Sequence, residues 1–366
     1  MTRAHRERLI VPCLALGALL TAVACIAPRF PYSSPYEATA ERGIIPGCAE
    51  VQCFRVLVPW VLRLVPLVSV VKWKAYAIVC QVLAGVAVSE LCLVLGLSAR
   101  IAMTALSLSV LSFASMFAMW DPFNADPLMF SLGPAVTAWL LEYRYLRTAV
   151  VTAITVLAKE FVVMVVAIVC AWAAWNREWR RARVTFLIAG GAFVLWAAFQ
   201  ILLMRLFDYS YNGSGTAPAT NLLSGSFLAV WIARMPPLAA LASVFNEFGA
   251  VYFLIPFGWL AAPRVLKQLS LAAVPFAAFL AYVEQPDRAL SNFHFLACPL
   301  GAIALDDAPA AARWSFVALY ALAAMRAGAQ LNGIPPARFS LAASSALAAA
   351  AIVVHLRAAP TRALHS

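Results

Sequence analysis

Apolar runs close to the length of a bilayer crossing recur along this chain. The first is "LIVPCLALGALLTAVACIA" (9–27), and a late one contains "LAASSALAAAAIVV" (341–354). A helix needs roughly 20 apolar residues to cross hydrocarbon, and there it must satisfy its own backbone hydrogen bonds. Charged residues make up only 12% of the chain and apolar ones 64%, whereas soluble domains carry about a quarter charged residues. Mean hydropathy is +0.86. These features exclude a soluble globular domain and predict an all-α, polytopic transmembrane helical bundle, a single membrane domain over residues 1–366.

Breakers and charges divide the runs into spans at 9–27, 75–97, 101–119, 127–141, 184–207, 246–262, 269–283, 294–305, 314–326 and 339–356, with two short spans inside 148–175. This predicts about 12 crossings, with 10 to 13 compatible with the pattern. The first run exceeds the roughly 7–15 apolar residues of a signal peptide. No small-x-small cleavage site follows it, so it reads as a retained span.

Net charge is +11, but its distribution argues against nucleic acid. Basic residues gather in short turns: "RAHRER" (3–8), "EYRYLR" (142–147), "NREWRRAR" (176–183), "APRVLK" (262–267) and a tail with Arg357 and Arg362. Cytoplasmic loops of membrane proteins carry such an excess. Both termini are therefore expected in the cytoplasm, with the lipid bilayer as the partner of the apolar surface.

Two loops fall on the opposite side, 28–72 and 208–245. In the first, "CFRVLVPWVLRLVPLVSVVKWK" is interrupted by Arg55, Pro59, Arg63 and Pro66, a pattern that predicts interfacial helices lying in the membrane plane. Cys48 and Cys53 share that loop and are placed for a disulfide in an oxidising compartment. The other six cysteines lie in apolar runs and read as small hydrophobes.

"TVLAKEFVVMVV" (155–166) sets Lys159 and Glu160 within an apolar run. Ionisable groups at membrane depth need a partner or water. The flanking basic turns require an even number of crossings between them, so two short helices should meet at Lys159–Glu160 on the outer side. An ion pair pinning the helices together and a set of ligands at a cavity wall are the two readings of this dipeptide. The same topology gathers Glu37, Glu41, Arg55, Asp121, Asp126, Glu247, Glu284, Asp287 and Arg288 on that side. "WDPFNADP" is also ordinary turn chemistry, and Asp126 suits a helix N-terminus. Arg288 offers a planar cation suited to phosphate. No HExxH, P-loop, G-x-S-x-G or GxGxxG motif is present, and His294 reads as a packed residue.

The order of motifs carries a resemblance. It runs from a span to a loop ending in "FRVLVPWVLRLVP", then "WDPFNADPL", "LAKEFVV" and "EQPDRALSNFHFLACPL". Over roughly residues 9–305 this resembles bacterial multi-spanning proteins of the C-type glycosyltransferase superfamily, which take sugars from polyprenyl-phosphate carriers. The resemblance implies an inner-membrane helical bundle with a chamber opening outward and a polyprenyl-phosphate-linked sugar as partner. In such enzymes an acidic residue early in the first outer loop is base or metal ligand. Here Ser33, Ser34 and Pro35 stand near the place of the usual aspartate, and Glu37 or Glu41 takes its role. Arg55 matches the basic residue of the R-V-L-x-P element, Lys159 and Glu160 the K-E element, and Asp287 and Arg288 the late polar turn.

The chemistry so implied is sugar transfer. Glu37, Glu41, Asp121 and Asp126 are its candidate catalytic acids. Arg55, Lys159 and Arg288 are its candidate phosphate ligands, supported by Glu160 and Asp287. A divalent metal is left open. Two competing readings are a transporter or flippase for lipid-linked or anionic solutes and a non-catalytic family member. The former would favour broken helices at midplane and paired repeats.

Overall fold

The computed structural model describes residues 3–210, 245, 247–280, 289–334 and 337–363. Among these residues there are fifteen α-helices and no strands. They are α1 (Arg3–Ile26), α2 (Pro35–Arg42), α3 (Leu57–Arg63), α4 (Ser69–Val94), α5 (Ala99–Val110), α6 (Phe113–Trp120), α7 (Asp126–Leu141) and α8 (Tyr145–Thr155). There follow α9 (Phe161–Trp175), α10 (Trp179–Phe207), α11 (Val251–Ala261), α12 (Arg264–Leu280), α13 (His294–Leu305), α14 (Ala310–Ala327) and α15 (Ala337–Ala363).

Among the described residues, five segments are long and apolar enough to cross a membrane: Leu9–Ile26, Ser69–Val94, Ala99–Trp120, Trp179–Phe207 and Arg338–Ala358. Three shorter apolar helices accompany them, at Phe161–Trp175, Val251–Ala261 and Ser291–Leu305. Burial sorts them into centre and periphery. All twelve residues of α13 are buried. In Ala99–Trp120 the buried share is 78%, against 17% in α10 and 22% in Leu9–Ile26. The outer face of α10 presents Phe186, Leu187, Phe193 and Val194, each more than half exposed. An apolar surface of that extent belongs against lipid.

Local chemistry explains where helices stop. Ser98 caps α5 by accepting from the Ile101 amide, and Ser112 caps α6 by accepting from the Ser115 amide. The α5–α6 break is therefore a capped restart inside one crossing. Its buried polar groups are served by Ser115 Oγ, which lies 2.8 Å from Gln81 Oε1 and 3.0 Å from the Ser109 carbonyl. Where helices approach most closely, a glycine is required. A Cβ on Gly258 in α11 would collide with the Leu300 carbonyl of α13, the close small-residue packing by which helices associate in lipid.

The expected bend at Lys159–Glu160 is present: α8 ends at Thr155 and α9 starts at Phe161. The two flanking basic turns share one end of the bundle. The Arg181 guanidinium sits 4.0 Å from the Tyr143 ring centroid and donates to the Leu141 carbonyl at 3.4 Å. The bend between α8 and α9 lies at the other end, where the Leu57 amide donates to the Leu157 carbonyl.

One boundary differs clearly. The second span was expected from residue 75, but α4 begins at Ser69 and takes in "VKWK". Trp73 is fully buried, its ring packed on those of Tyr36, Tyr76 and Phe123. That aromatic contact draws the two flanking lysines into the helix, where their long stems lie along apolar surface. Loop 28–72 holds α2, a 3-10 turn at Val51–Phe54 and α3, in place of a span. Most of loop 208–245 lies outside the described residues.

Candidate functional site

Three stretches distant in sequence meet at the end of the bundle away from the basic turns. They are loop 28–68, the turn after α6 and the bend between α8 and α9. Ser34 caps α2 by accepting from the Tyr36 amide and donates its own hydroxyl to the Phe123 carbonyl at 3.1 Å. Asn124 shapes the turn: its side-chain amide donates to the Asp121 carbonyl at 2.8 Å, and its oxygen accepts from the Asp126 amide at 3.0 Å. Tyr76 of α4 accepts from the Leu128 amide at 3.2 Å and lies 3.4 Å from the Ala125 carbonyl. These bonds fix backbone that would otherwise be costly at membrane depth.

Two ion pairs tie the stretches together. Arg55 meets Glu160 through both ends of its fork, Nε to Oε2 at 3.2 Å and Nη2 to Oε1 at 2.5 Å. Its Nη1 reaches the Tyr36 hydroxyl at 3.4 Å. Lys159 Nζ is bonded to Asp126 Oδ1. Lys159 and Glu160 thus do not pair with each other. Each pins the bend to a different segment, Lys159 to the turn opening α7 and Glu160 to the first loop. The Lys159 and Asp126 side chains keep only 15% and 11% of their surface, whereas Glu160 keeps 37%.

The electrostatics follow. Burial opposes a charged Glu160, yet Arg55 and Lys159 together outweigh it and hold the carboxyl below its ordinary value. Burial also opposes the Arg55 charge, but Glu160 and Tyr36 lift the guanidinium well above its usual value. Burial lowers Lys159, which Asp126 only partly offsets. The Tyr36 hydroxyl is raised by its burial. Glu160 is thus ionised and Arg55 stays protonated, each serving the other.

On the other side of α2 lies a cleft of about 760 Å³. The segment Ala27–Ser33, Val70 and Lys74 of α4, Trp120, Pro122 and Phe123 wall it, and Glu37 projects into it. Glu37 is half-buried. Among the described residues neither Glu37 nor Arg29 of this cleft has an ion-pair or hydrogen-bond partner for its charged group, in contrast to the neighbouring quartet.

Of the residues singled out from sequence, Arg55, Asp126, Lys159 and Glu160 converge in the quartet, and Glu37 lines the adjoining cleft. Asp121 is buried at the end of α6 and its carbonyl belongs to the Asn124 turn. Glu41 is exposed near the end of α2. Asp287 and Arg288 lie outside the described residues. Tyr36, Tyr76, Asn124, Arg29 and Lys74 were not singled out. Arg29, Tyr36, Lys74 and Asn124 lie among dense aromatic and polar residues just outside the expected spans, and Tyr76 at the start of the span expected over 75–97. Among the described residues no three of His, Cys, Asp and Glu gather as a metal would need, and Asp126 is engaged by Lys159. These residues do not compose a metal site.

Cys48 and Cys53 form a disulfide. The bridged turn is clipped to the end of α10: the Gly47 amide donates to the Phe207 carbonyl at 2.8 Å and the Ser210 amide to the Cys48 carbonyl at 3.1 Å. Cys53, Phe54 and Val56 pack there with Leu203 and Tyr209. Alkylation of the unfolded chain is expected to modify six thiols without reductant and all eight after reduction. Intact-mass measurement checks this; eight modified thiols in the unreduced sample would show the loop to be unbridged.

No protein-family model matches the chain, and no curated protein matches it. Two solved structures are similar. One is the archaeal oligosaccharyltransferase AglB from Archaeoglobus fulgidus, in complex with an inhibitory peptide and a dolichol-phosphate, at TM-score 0.50 and 14% identity. The other is the Archaeoglobus fulgidus oligosaccharyltransferase in the apo form, at TM-score 0.51 and 15% identity. The fold is similar to that of an oligosaccharyltransferase. Each likeness covers 94% of this chain and 55% of the other, so the chain spans about half the length of those proteins. At such identity the likeness speaks for the fold. It accords with the helical membrane bundle that the C-type resemblance implies.

Proposed function

We propose that the chain is a membrane glycosyltransferase that moves a sugar from a polyprenyl-phosphate donor to an acceptor on the non-cytosolic side of a bacterial inner membrane. Both termini are cytoplasmic and the chain crosses about 12 times, each crossing by a helix of bilayer length or shorter. The basic turns grouped at one end, and the mixed charges at the other, support that orientation.

The observation that carries the reading is the cleft with Glu37 in it. Around it the charges of Arg55, Lys159, Asp126 and Glu160 are spent on one another. Glu37 alone among the proposed acids faces a cavity large enough for a sugar with no partner among the described residues. In the reaction an acceptor hydroxyl attacks the anomeric carbon, the bond from that carbon to the phosphate oxygen breaks, and the hydroxyl proton passes to Glu37. The departing lipid phosphate carries away the electron pair. The quartet does not touch the reacting atoms; it positions α2, and with it Glu37. Asp121 and Glu41 have no such position, and Arg288 of the late polar turn is a further phosphate ligand.

The second reading, a non-catalytic member, is favoured by the engagement of Arg55 and Lys159 with carboxylates. Transfer of labelled sugar by the purified protein in liposomes, compared with Glu37→Gln, separates the two. Transfer that depends on Glu37 supports the enzyme. No transfer from any polyprenyl-phosphate sugar, in a folded protein, supports the alternative.

A further inference from the structure

We propose that Arg29 and Lys74 form an anion site in the same cleft and hold the phosphate of a lipid whose chain enters from the bilayer. This rests on the reading of the cleft as the place of sugar transfer. It moves the phosphate contacts from the residues first expected, Arg55 and Lys159, to two that no motif marked.

Arg55 gives its fork to Glu160, and Lys159 is bonded to Asp126. A phosphate placed there would compete with carboxylates already seated. Arg29 and Lys74 line the cleft instead. Arg29 is exposed and bonds to nothing among the described residues. Lys74 Nζ is bonded to the Ala24 carbonyl, which uses one of the three donors of an ammonium and leaves two. Val70, in the first turn of α4, is another wall of the cleft. The N-cap of that helix, Val68, supplies no side-chain acceptor, so its first amides and its dipole add to the attraction for an anion. Against these, Glu37 is the single carboxylate of the lining among the described residues.

Access is the second observation. The residues flanking the cleft in sequence are large, apolar and exposed: Ile26 at 67%, Leu67 at 52%, Val68 at 74% and Val71 at 52%. They belong to the end of α1 and to the approach and first turn of α4, helices that pack on each other. Such a surface suits contact with hydrocarbon. A single-chain lipid with its phosphate between Arg29 and Lys74 can therefore lay its chain along this seam without leaving the bilayer. Phe30, Trp120 and Phe123 give the apolar walls around the headgroup.

The test is a binding isotherm of the purified full chain in detergent, with a short-chain prenyl phosphate, phosphatidylglycerol and inorganic phosphate as separate probes. Arg29→Ala and Lys74→Met are each expected to weaken prenyl phosphate about tenfold, and the double variant about 100-fold. Arg29→Lys and Lys74→Arg keep most of the affinity, and thermal melting confirms the fold of each variant. Prenyl phosphate bound more tightly than phosphatidylglycerol marks a carrier site; equal binding marks a site for anionic headgroups generally. Either supports the anion site. Unchanged affinity in a folded double variant overturns it, as does inorganic phosphate binding as well as both lipids. Glu37→Gln takes a negative charge out of the lining and should bind prenyl phosphate at least as tightly as wild type. If binding depends on Arg29 and Lys74 while no sugar is ever transferred, the enzyme reading falls and the anion site stands.

Discussion

Glu37→Gln is expected to lower the rate of sugar transfer by about 10²–10⁴-fold, the range for loss of a general base. The substitution keeps the shape of the side chain and removes its capacity to take a proton. Glu37 has no ion-pair partner among the described residues, so no contact is broken and the thermal midpoint should hold. The loss should fall in kcat with KM little changed, as for a group acting on the transition state. Glu41→Gln, one turn along and exposed, is the matched control and should transfer like wild type. Equal activity of Glu37→Gln and wild type would remove Glu37 from the reaction. A loss in Glu41→Gln of the same size would show that α2 matters only as a structural element.

The second large effect is on stability. Lys159→Met removes the ammonium bonded to the Asp126 carboxylate, which is only 11% exposed. Breaking a buried pair from one side costs about 3–5 kcal/mol, and a fall of roughly 5 °C or more in the thermal midpoint is expected. Arg55→Met should cost less, about 1 kcal/mol, because Glu160 keeps 37% of its surface and water screens it. The double variant Lys159→Met with Asp126→Asn removes both charges and should regain most of the stability. This pair of experiments separates a clamp from a ligand. If Lys159 clamps the bend, stability and transfer recover together in the double variant. If Lys159 binds the substrate phosphate, stability recovers and transfer stays lost.

The bundle was legible because hydrocarbon imposes one rule on every span, and apolar run length reports it directly. The bend at 156–160 was legible through the basic turns at 142–147 and 176–183, whose shared side forced an even number of crossings between them. Pairing was not legible. Lys159 and Glu160 are neighbours in sequence but point to Asp126 and Arg55, and nothing local to "LAKEFVV" specifies partners 33 and 105 residues away. The start of α4 was missed for a related reason. Lys72 and Lys74 look like loop residues until Trp73 is seen against Tyr36 and Phe123. Arg29 and Lys74 went unnoticed because isolated cations beside apolar runs read as topology signals. Only the cleft between α1, α4 and the 120–123 turn distinguishes them.

Sugar transfer on the non-cytosolic side requires the cleft to face away from the cytosol. A chain lacking its six free cysteines and carrying Glu37→Cys, probed with a membrane-impermeant maleimide, tests this directly. Arg144→Cys is the reference for the basic end. Labelling of position 37 in intact spheroplasts, with position 144 reached only in inverted vesicles, is the predicted result. Labelling of position 37 only in inverted vesicles, or of both positions from one side, would contradict it.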